Sequence, residues 1–426
     1  MTAPVTARAD LSTVDVAPVQ RRTLTVLIVM QIIGTIGVGV APSIGVLLAG
    51  EVTDSEAWAG LARTGSTLGA ALLGLPLGTL AARRGRRVAL TTGWWTAACG
   101  GALLVAAAQW SLVVPLFVGL LLIGAGSAVS LQARFAATDL AAPRQKARAL
   151  ALVVWVGTIG SVLGPNLGVP AQVLGRATGL TVYAGAFLIA AVCLALAGTV
   201  AVIWLRPDPL HVLAEVTPTA SQPHTGARHG RLRMMAAELR SNPTARFAVV
   251  AILTAQIVMV AVMTMTPVHL THHGGSVTVV GLTISLHVAG MYALSPVVGM
   301  VVDRGGHRLS ILIGIVVLVA SLVAGAWHPD DTGWVIACLV LLGLGWCFVN
   351  VAGSALFSSV VADRVRATAQ GGVDALSNLC GAAAAFISGP LLAVSSFSTL
   401  CGVAMVVLVP LTTMTLLRSG GARPRV

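Results

Sequence analysis

Charge is what this sequence has least of. Only 9% of its 426 residues are Asp, Glu, Lys or Arg, while 56% are hydrophobic. A soluble domain carries about 25% charged residues, so this chain has too few to cover a water-facing surface. Cysteine is limited to six residues (Cys99, Cys193, Cys338, Cys347, Cys380 and Cys401), each alone in an apolar segment. With no Cys-x-x-Cys pair, neither a disulfide framework nor a zinc site is indicated. Gly-x-Ser-x-Gly, His-Glu-x-x-His and Gly-x-x-x-x-Gly-Lys-Ser/Thr are missing too, which speaks against an enzyme, a cofactor-dependent reaction or an ATP-driven pump. The first 23 residues have no apolar core, so no cleaved signal peptide is expected and the first span acts as its own insertion signal.

What the chain does have is apolar runs, each near the ~20 residues that cross a bilayer. Spans are expected at 24–49, 57–82, 88–108, 112–134, 148–172 and 181–205, then at 246–270, 276–302, 309–327, 333–358, 370–393 and 398–418. The fold expected is therefore an all-α integral membrane protein, with twelve transmembrane helices in two six-helix bundles. Bundles at 24–205 and 246–418 are joined by a hydrophilic linker, 206–245, holding Pro207, Pro209, Pro218 and Pro223. The linker ends in a basic stretch, 231–240, that suits a short amphipathic helix on the membrane surface. Tails cover 1–23 and 419–426. Of 26 Lys and Arg, all but Arg63 and Arg176 fall in the tails or in alternate loops. That asymmetry puts both termini in the cytoplasm. It also accounts for the net charge of +12 without a nucleic-acid partner, since no basic face interleaved with aromatic residues is visible. The 47 glycines suit close helix packing in lipid.

An internal repeat organises the two halves. Gly78-Thr-Leu-Ala-Ala-Arg83-Arg84-Gly85-Arg86-Arg87 follows span two, and Gly299-Met-Val-Val-Asp303-Arg304-Gly305-Gly306-His307-Arg308 follows span eight. Parallel halves of this kind suit a carrier in which one bundle rocks against the other around a central site. The two segments resemble the signature loop of the major facilitator superfamily, Gly-x-Leu-Ala-Asp-Arg-x-Gly-Arg-Arg, and the resemblance runs through all twelve spans. It implies a secondary carrier working by alternating access. It also implies conformational gating by Gly78, Arg83, Arg84, Gly85 and Arg87 in the first half, and by Gly299, Asp303, Arg304 and Arg308 in the second. The first copy departs from the family pattern at Ala82, where an Asp is usual, so the charge contact of the gate is expected to rest on Asp303.

Ionisable groups inside a bilayer are costly and so mark function by default. Glu51, Asp54, Glu56, Asp330 and Asp331 fall in external loops. Asp139, Asp303 and Asp363 fall at cytoplasmic ends, and Asp374 lies about one turn into span eleven. Arg63, in the outer half of span two, is expected to reach outward to the surface. His287, near the centre of span eight, is the remaining deep group. His287 and Met291 share a face at i, i+4, as do Met259 and Met263 on span seven. If the two faces meet, thioethers and one imidazole form a ladder that suits Cu(I) or a similar soft metal. Packing by adaptable Met side chains is the competing account. Met-x-x-x-Met followed by His-x-x-x-Met, with Arg134-Phe-Ala-Ala-Thr-Asp139 and Gly164-Pro165-Asn166, resembles CcoA-like copper importers. On that resemblance Met259, Met263, His287 and Met291 are the metal-relay residues. Carriers of organic nutrients such as riboflavin share similar motifs. His269, His272 and His273, at the outer end of span seven, are candidates for capturing a metal at the mouth.

Proton-coupled efflux of drugs or metabolites is the rival reading. Gly160-x-x-x-Gly164-Pro165-x-x-Gly168 in span five is similar to the Gly-Pro motif of antiporters, with these residues acting as hinge or packing positions. The Arg that such antiporters carry in span four is Leu120 here, and no buried acid is visible to take a proton. Uptake of another small molecule is the third possibility. Whatever the cargo, the lipid bilayer is the one other partner expected, with no protein partner evident.

Overall fold

The computed structural model describes residues 16–142, 145–216, 240–361 and 363–417, and among them every regular element is a helix. Span one is Ala17–Gly39, a π-helical turn Ala41–Gly45 and Val46–Thr53. Pro42 sits in that turn, and a proline ring cannot continue the i→i−4 ladder. Glu56–Trp110 follows, then Val113–Ala136. Span five is also discontinuous: Lys146–Leu163, a 3₁₀ turn Gly164–Leu167 holding Pro165, and Gly168–Thr178. Span six is Val182–Trp204, and a short helix, Pro209–Val216, begins the linker. The second half holds Pro243–His272, Val277–Tyr292, Ser295–Trp327, Thr332–Val360, Asp363–Val394 and Phe397–Leu417. The basic stretch expected at 231–240 lies outside the described residues apart from Arg240.

Two of these helices are really four spans. Glu56–Trp110 contains Gly85 at φ 88°, ψ 168°, and Ser295–Trp327 contains Gly306 at φ 80°, ψ 162°. That backbone region is open in practice to glycine alone. Dividing the helices there gives twelve passes, as the apolar runs require. Gly85 and Gly306 are related by the same interval as Gly78 and Gly299, so the sequence repeat is a repeat of backbone geometry. Span eight is interrupted as well: Ala293 and Leu294 separate Val277–Tyr292 from the helix that starts at Ser295 and carries Pro296 in its first turn. The observed ends differ from the expected ones by a few residues at most spans. Span eleven differs more, beginning at Asp363 rather than 370.

Each half has its own apolar core. In the first, Leu27, Met30, Ile44, Trp94, Leu120 and Phe187 are fully enclosed. In the second, Met259, Met263, Met265 and Met291 are packed with Leu318, Leu339 and Phe397. Large side chains such as Trp155, Val173, Trp327 and Val406 remain exposed. Exposed apolar surface of that extent belongs against lipid.

Candidate functional site

The halves meet at the end away from the basic turns, and there the backbones touch. A β-carbon at Gly60 in span two would collide with the Ala385 carbonyl of span eleven. One turn on, Thr64 Oγ1 donates to the Ala382 carbonyl at 2.9 Å. Spans five and eight close the other flank. A β-carbon at Gly281 would lie 2.5 Å from the Pro165 carbonyl, and one at Gly168 would meet Val277. Asn166 Nδ2 donates to Ser285 Oγ at 2.6 Å, and Ser285 Oγ donates to the Val162 carbonyl at 2.5 Å. Gly168, Pro165 and Asn166 therefore sit in the contact between the halves. Gly160 and Gly164 act inside the first half, against Thr35 and against the Gly39 backbone. Above this seal a cavity of about 330 Å³ is lined by Glu51, Asp54, Tyr183, Thr271 and His272 among others.

Further along the spans, polar side chains of the two halves come within electrostatic range of one another. Arg63 is half-buried one residue from Thr64 and within electrostatic range of Tyr292 and His287. It points inward, so the outward reach expected of it is not made. The reason is its position: it lies just under the sealed contact, on the face that span two turns to the second half. Tyr292 ends the first segment of span eight and meets Trp346 edge-on, with ring centroids 6.0 Å apart. Trp346 Nε1 donates to Gln256 Oε1 at 3.0 Å. Arg134 lies within the last turn of span four rather than in a loop, with its Nε buried and without a hydrogen-bond partner among the described residues. It is within electrostatic range of both Tyr292 and Asp374.

Asp374 falls within the first turn of the apolar stretch Gly372–Val394, close to where the sequence puts it. The helix itself begins earlier, at Asp363, ahead of that apolar stretch. Asp374 is exposed and lies within electrostatic range of Arg134 of the other half. The constellation of Arg63, Arg134, Gln256, Tyr292, Trp346 and Asp374 was not assembled from the sequence. Its members are one per span, from six different spans, and no spacing rule links them.

The residues of the sequence ladder occupy the second half. Met259, Met263 and Met291 are buried in one core, and His287 is fully enclosed. Span eight packs chiefly on span ten and, across the halves, on span five, and it touches span seven only lightly. His287 Nδ1 is hydrogen-bonded to the Leu339 carbonyl of span ten at 2.8 Å. Its Nε2 is buried without a hydrogen-bond partner among the described residues. Of the mouth histidines, His269 Nε2 bonds the Pro329 carbonyl at 2.6 Å and its ring stacks on Phe397. His273 pairs with Asp330 at 2.9 Å. These contacts tie the outer end of span seven to the turn before span ten.

In the repeated Arg- and Gly-rich turns the first half holds more contacts than its sequence suggested. Arg86 forms a two-point ion pair with Asp139, at 2.8 and 3.2 Å. Asp208, at the start of the linker, accepts from the backbone N–H groups of Arg86 (3.2 Å), Arg87 (2.8 Å) and Leu210 (2.9 Å). A β-carbon at Gly85 would collide with that carboxylate. Asp208 thus caps the N-terminus of span three, where carboxylates are favoured by the unpaired N–H groups and the helix dipole. Arg83 and Arg84 are exposed, as are Asp303 and Arg304. Arg308 Nε donates to the Thr415 carbonyl at 3.0 Å. Gly78 and Gly299 have open space where a side chain would point.

Comparison with known proteins agrees with this architecture. The family model described as Major Facilitator Superfamily matches residues 23–385 and 248–425. The chain is 38% identical over 381 residues to the uncharacterized MFS-type transporter YddS of Bacillus subtilis, covering 89% of this chain and 87% of that one. It is 29% identical over 384 residues to the riboflavin transporter RfnT of Brucella anthropi, covering 90% and 92%. Among solved structures, the nucleoside transporter NupG superposes with a TM-score of 0.70 at 15% identity, over 95% of this chain and all of that one.

Proposed function

The chain belongs to the major facilitator superfamily, and on that premise we propose that it is a secondary transporter whose cargo is a small organic solute held in the gap between the halves. One observation carries the reading: two guanidinium groups from different spans of the first half, Arg63 and Arg134, lie within electrostatic range of Tyr292, whose ring meets Trp346, itself bonded to Gln256. Guanidinium planes bind anionic or acceptor-rich edges and also stack on flat rings. Tyr292 and Trp346 offer an aromatic surface to a planar solute. The site suits a conjugated ring system with carbonyl or acidic substituents. Riboflavin, named for the Brucella relative, has that chemistry and is the first compound to try. Asp374 beside Arg134 gives the gap a carboxylate that a coupled proton can occupy, which supports coupling to a proton gradient in either direction of transport.

Rocking of the bundles closes the gap at the basic turns and opens the opposite end, with Gly85 and Gly306 as the turning points of the two loops. The basic residues of those loops support a cytoplasmic location for both termini and for the linker. Transport by proteoliposomes tests the cargo. Radiolabelled riboflavin should accumulate, and Arg63→Gln or Trp346→Leu should abolish accumulation while the protein still reconstitutes. Accumulation that survives both changes overturns this site.

Soft-metal transport is a second reading, supported by the buried, unpartnered Nε2 of His287 and by the burial of Met259, Met263 and Met291 in one core. Copper accumulation in cells expressing the wild type, lost in the Met→Leu triple variant, would favour it over the organic cargo.

A further inference from the structure

Two of the six cysteines, 63 positions apart, come together. Cys338 lies near the start of Thr332–Val360 and Cys401 near the start of Phe397–Leu417, and both are fully enclosed. Both sulfurs converge on Gly325 of span nine: a β-carbon there would lie 2.9 Å from Cys338 Sγ and 3.1 Å from Cys401 Sγ. The space left by the missing side chain is the space the thiols share, and they lie within hydrogen-bonding reach of one another. Ser321, one turn before Gly325, donates to the Cys338 carbonyl at 2.7 Å, and its oxygen is 3.6 Å from Cys338 Sγ. Phe397 roofs the pair, 3.3 Å from the same point, and carries the ring of His269 above it.

We propose that Cys338 and Cys401 form a binding site for a thiophilic divalent cation in linear two-coordination, of which Hg(II) is the best match. Thiolate sulfur selects soft cations. The surroundings select the charge. The pocket is apolar, and an uncompensated charge placed in such a medium is expensive. Two thiols that each release one proton to a divalent ion leave a neutral bis-thiolate: Hg²⁺ and two RSH give RS–Hg–SR and two H⁺. The same pair on Cu(I) or Ag(I) would leave a buried anion, so the divalent ion is preferred. The helices of Cys338 and Cys401 pack on span nine rather than on each other. A bridging atom spans that arrangement with less helix movement than a direct sulfur–sulfur bond, whose Cα atoms must approach to about 4.4–6.8 Å. None of its residues is among the four positions of the Met259–His287 ladder, although Leu339, next to Cys338, holds His287.

Purified full-length protein, its accessible thiols blocked by a bulky water-soluble maleimide, is titrated with mercuric chloride and examined by X-ray absorption at the mercury edge. One mercury per chain with a linear two-sulfur shell is expected. Cys338→Ser and Cys401→Ser should each lose the two-sulfur signature. Gly325→Ala, which keeps both thiols but puts a methyl group between them, should weaken binding by about tenfold, as changes just outside a metal's ligands do. The Met259→Leu, Met263→Leu, Met291→Leu variant should keep the signature, which separates this site from the ladder. A one-sulfur shell, recovery of a Cys338–Cys401 disulfide instead of a metal complex, or undiminished binding in the serine variants would overturn the proposal. Should the serine variants not fold, the coordination shell of the wild type alone decides.

Discussion

The paired glycine turns allow a prediction with a built-in control. Gly85 and Gly306 share a backbone conformation that costs a residue with a β-carbon roughly 1–3 kcal/mol. Their surroundings differ. At Gly306 a β-carbon meets open space, whereas at Gly85 it collides with the Asp208 carboxylate. Gly306→Ala should therefore cost the backbone term alone. Gly85→Ala should also displace Asp208 from the N–H groups of Arg86 and Arg87, two bonds to a charged acceptor that is only 9% exposed. Bonds of that kind contribute about 1.5–3 kcal/mol each. The added cost should be roughly 2–4 kcal/mol, since part of the carboxylate can re-solvate at the surface. Removing the carboxylate first makes the test sharp. In an Asp208→Gly background, Gly85→Ala should fall back to the cost of Gly306→Ala, so that the two changes are strongly non-additive. Thermal unfolding of detergent-purified protein, followed by size-exclusion fluorescence, gives the ordering. Equal losses for Gly85→Ala and Gly306→Ala, or additive effects in the double variant, would refute the assignment of Asp208 as the cap of span three.

Further expectations concern the gap, the ladder and the topology. Asp374→Asn should uncouple accumulation from the proton gradient while leaving counterflow exchange intact; loss of both in equal measure would reduce it to a structural role. Met259→Leu, Met263→Leu and Met291→Leu together should lower stability by less than about 1.5 kcal/mol per site, because volume and apolarity are kept. Unchanged transport by that triple variant would remove the metal reading. Asp303→Asn should impair transport more than Ala82→Ser, and identical rates would show that the second loop's carboxylate does not bias the gate. A reporter fused after Val426 should be active only in the cytoplasm, and activity outside the cell would invert the assigned orientation.

The architecture was legible because lipid leaves few options. Apolar runs of bilayer length must be helices, and the Arg- and Gly-rich loops had to turn between them, so twelve passes and two related halves could be read from spacing alone. The breaks in spans one, five and eight could be anticipated at Pro42, Pro165 and Pro296, but not the π-helical form of the first. The residues that bring the two halves together were harder to read. Arg63 was assigned to the surface because position along a span says nothing of which face meets the other bundle. Asp374 was read near the start of span eleven, but nothing in the spacing tied it to Arg134 of span four. The Cys338–Cys401 pair was invisible for a related reason: cysteines on spans ten and twelve become neighbours only once span nine supplies a glycine between them.

The contact that closes the outer end is made of Gly60, Thr64, Ala382 and Ala385 on one flank and of Pro165, Gly168, Gly281 and Ser285 on the other. Every one of these residues is uncharged. Parting them breaks the hydrogen bonds of Thr64 and Ser285 but no ion pair among these residues. These small uncharged residues therefore give added salt, which screens charges, nothing of their own to weaken. Mechanical variables act instead. Hydrostatic pressure and lateral tension in the lipid work on volume and cross-section, the two quantities that change when a flat interface of small residues opens, and these are the physical inputs to which the resting orientation of this carrier should answer.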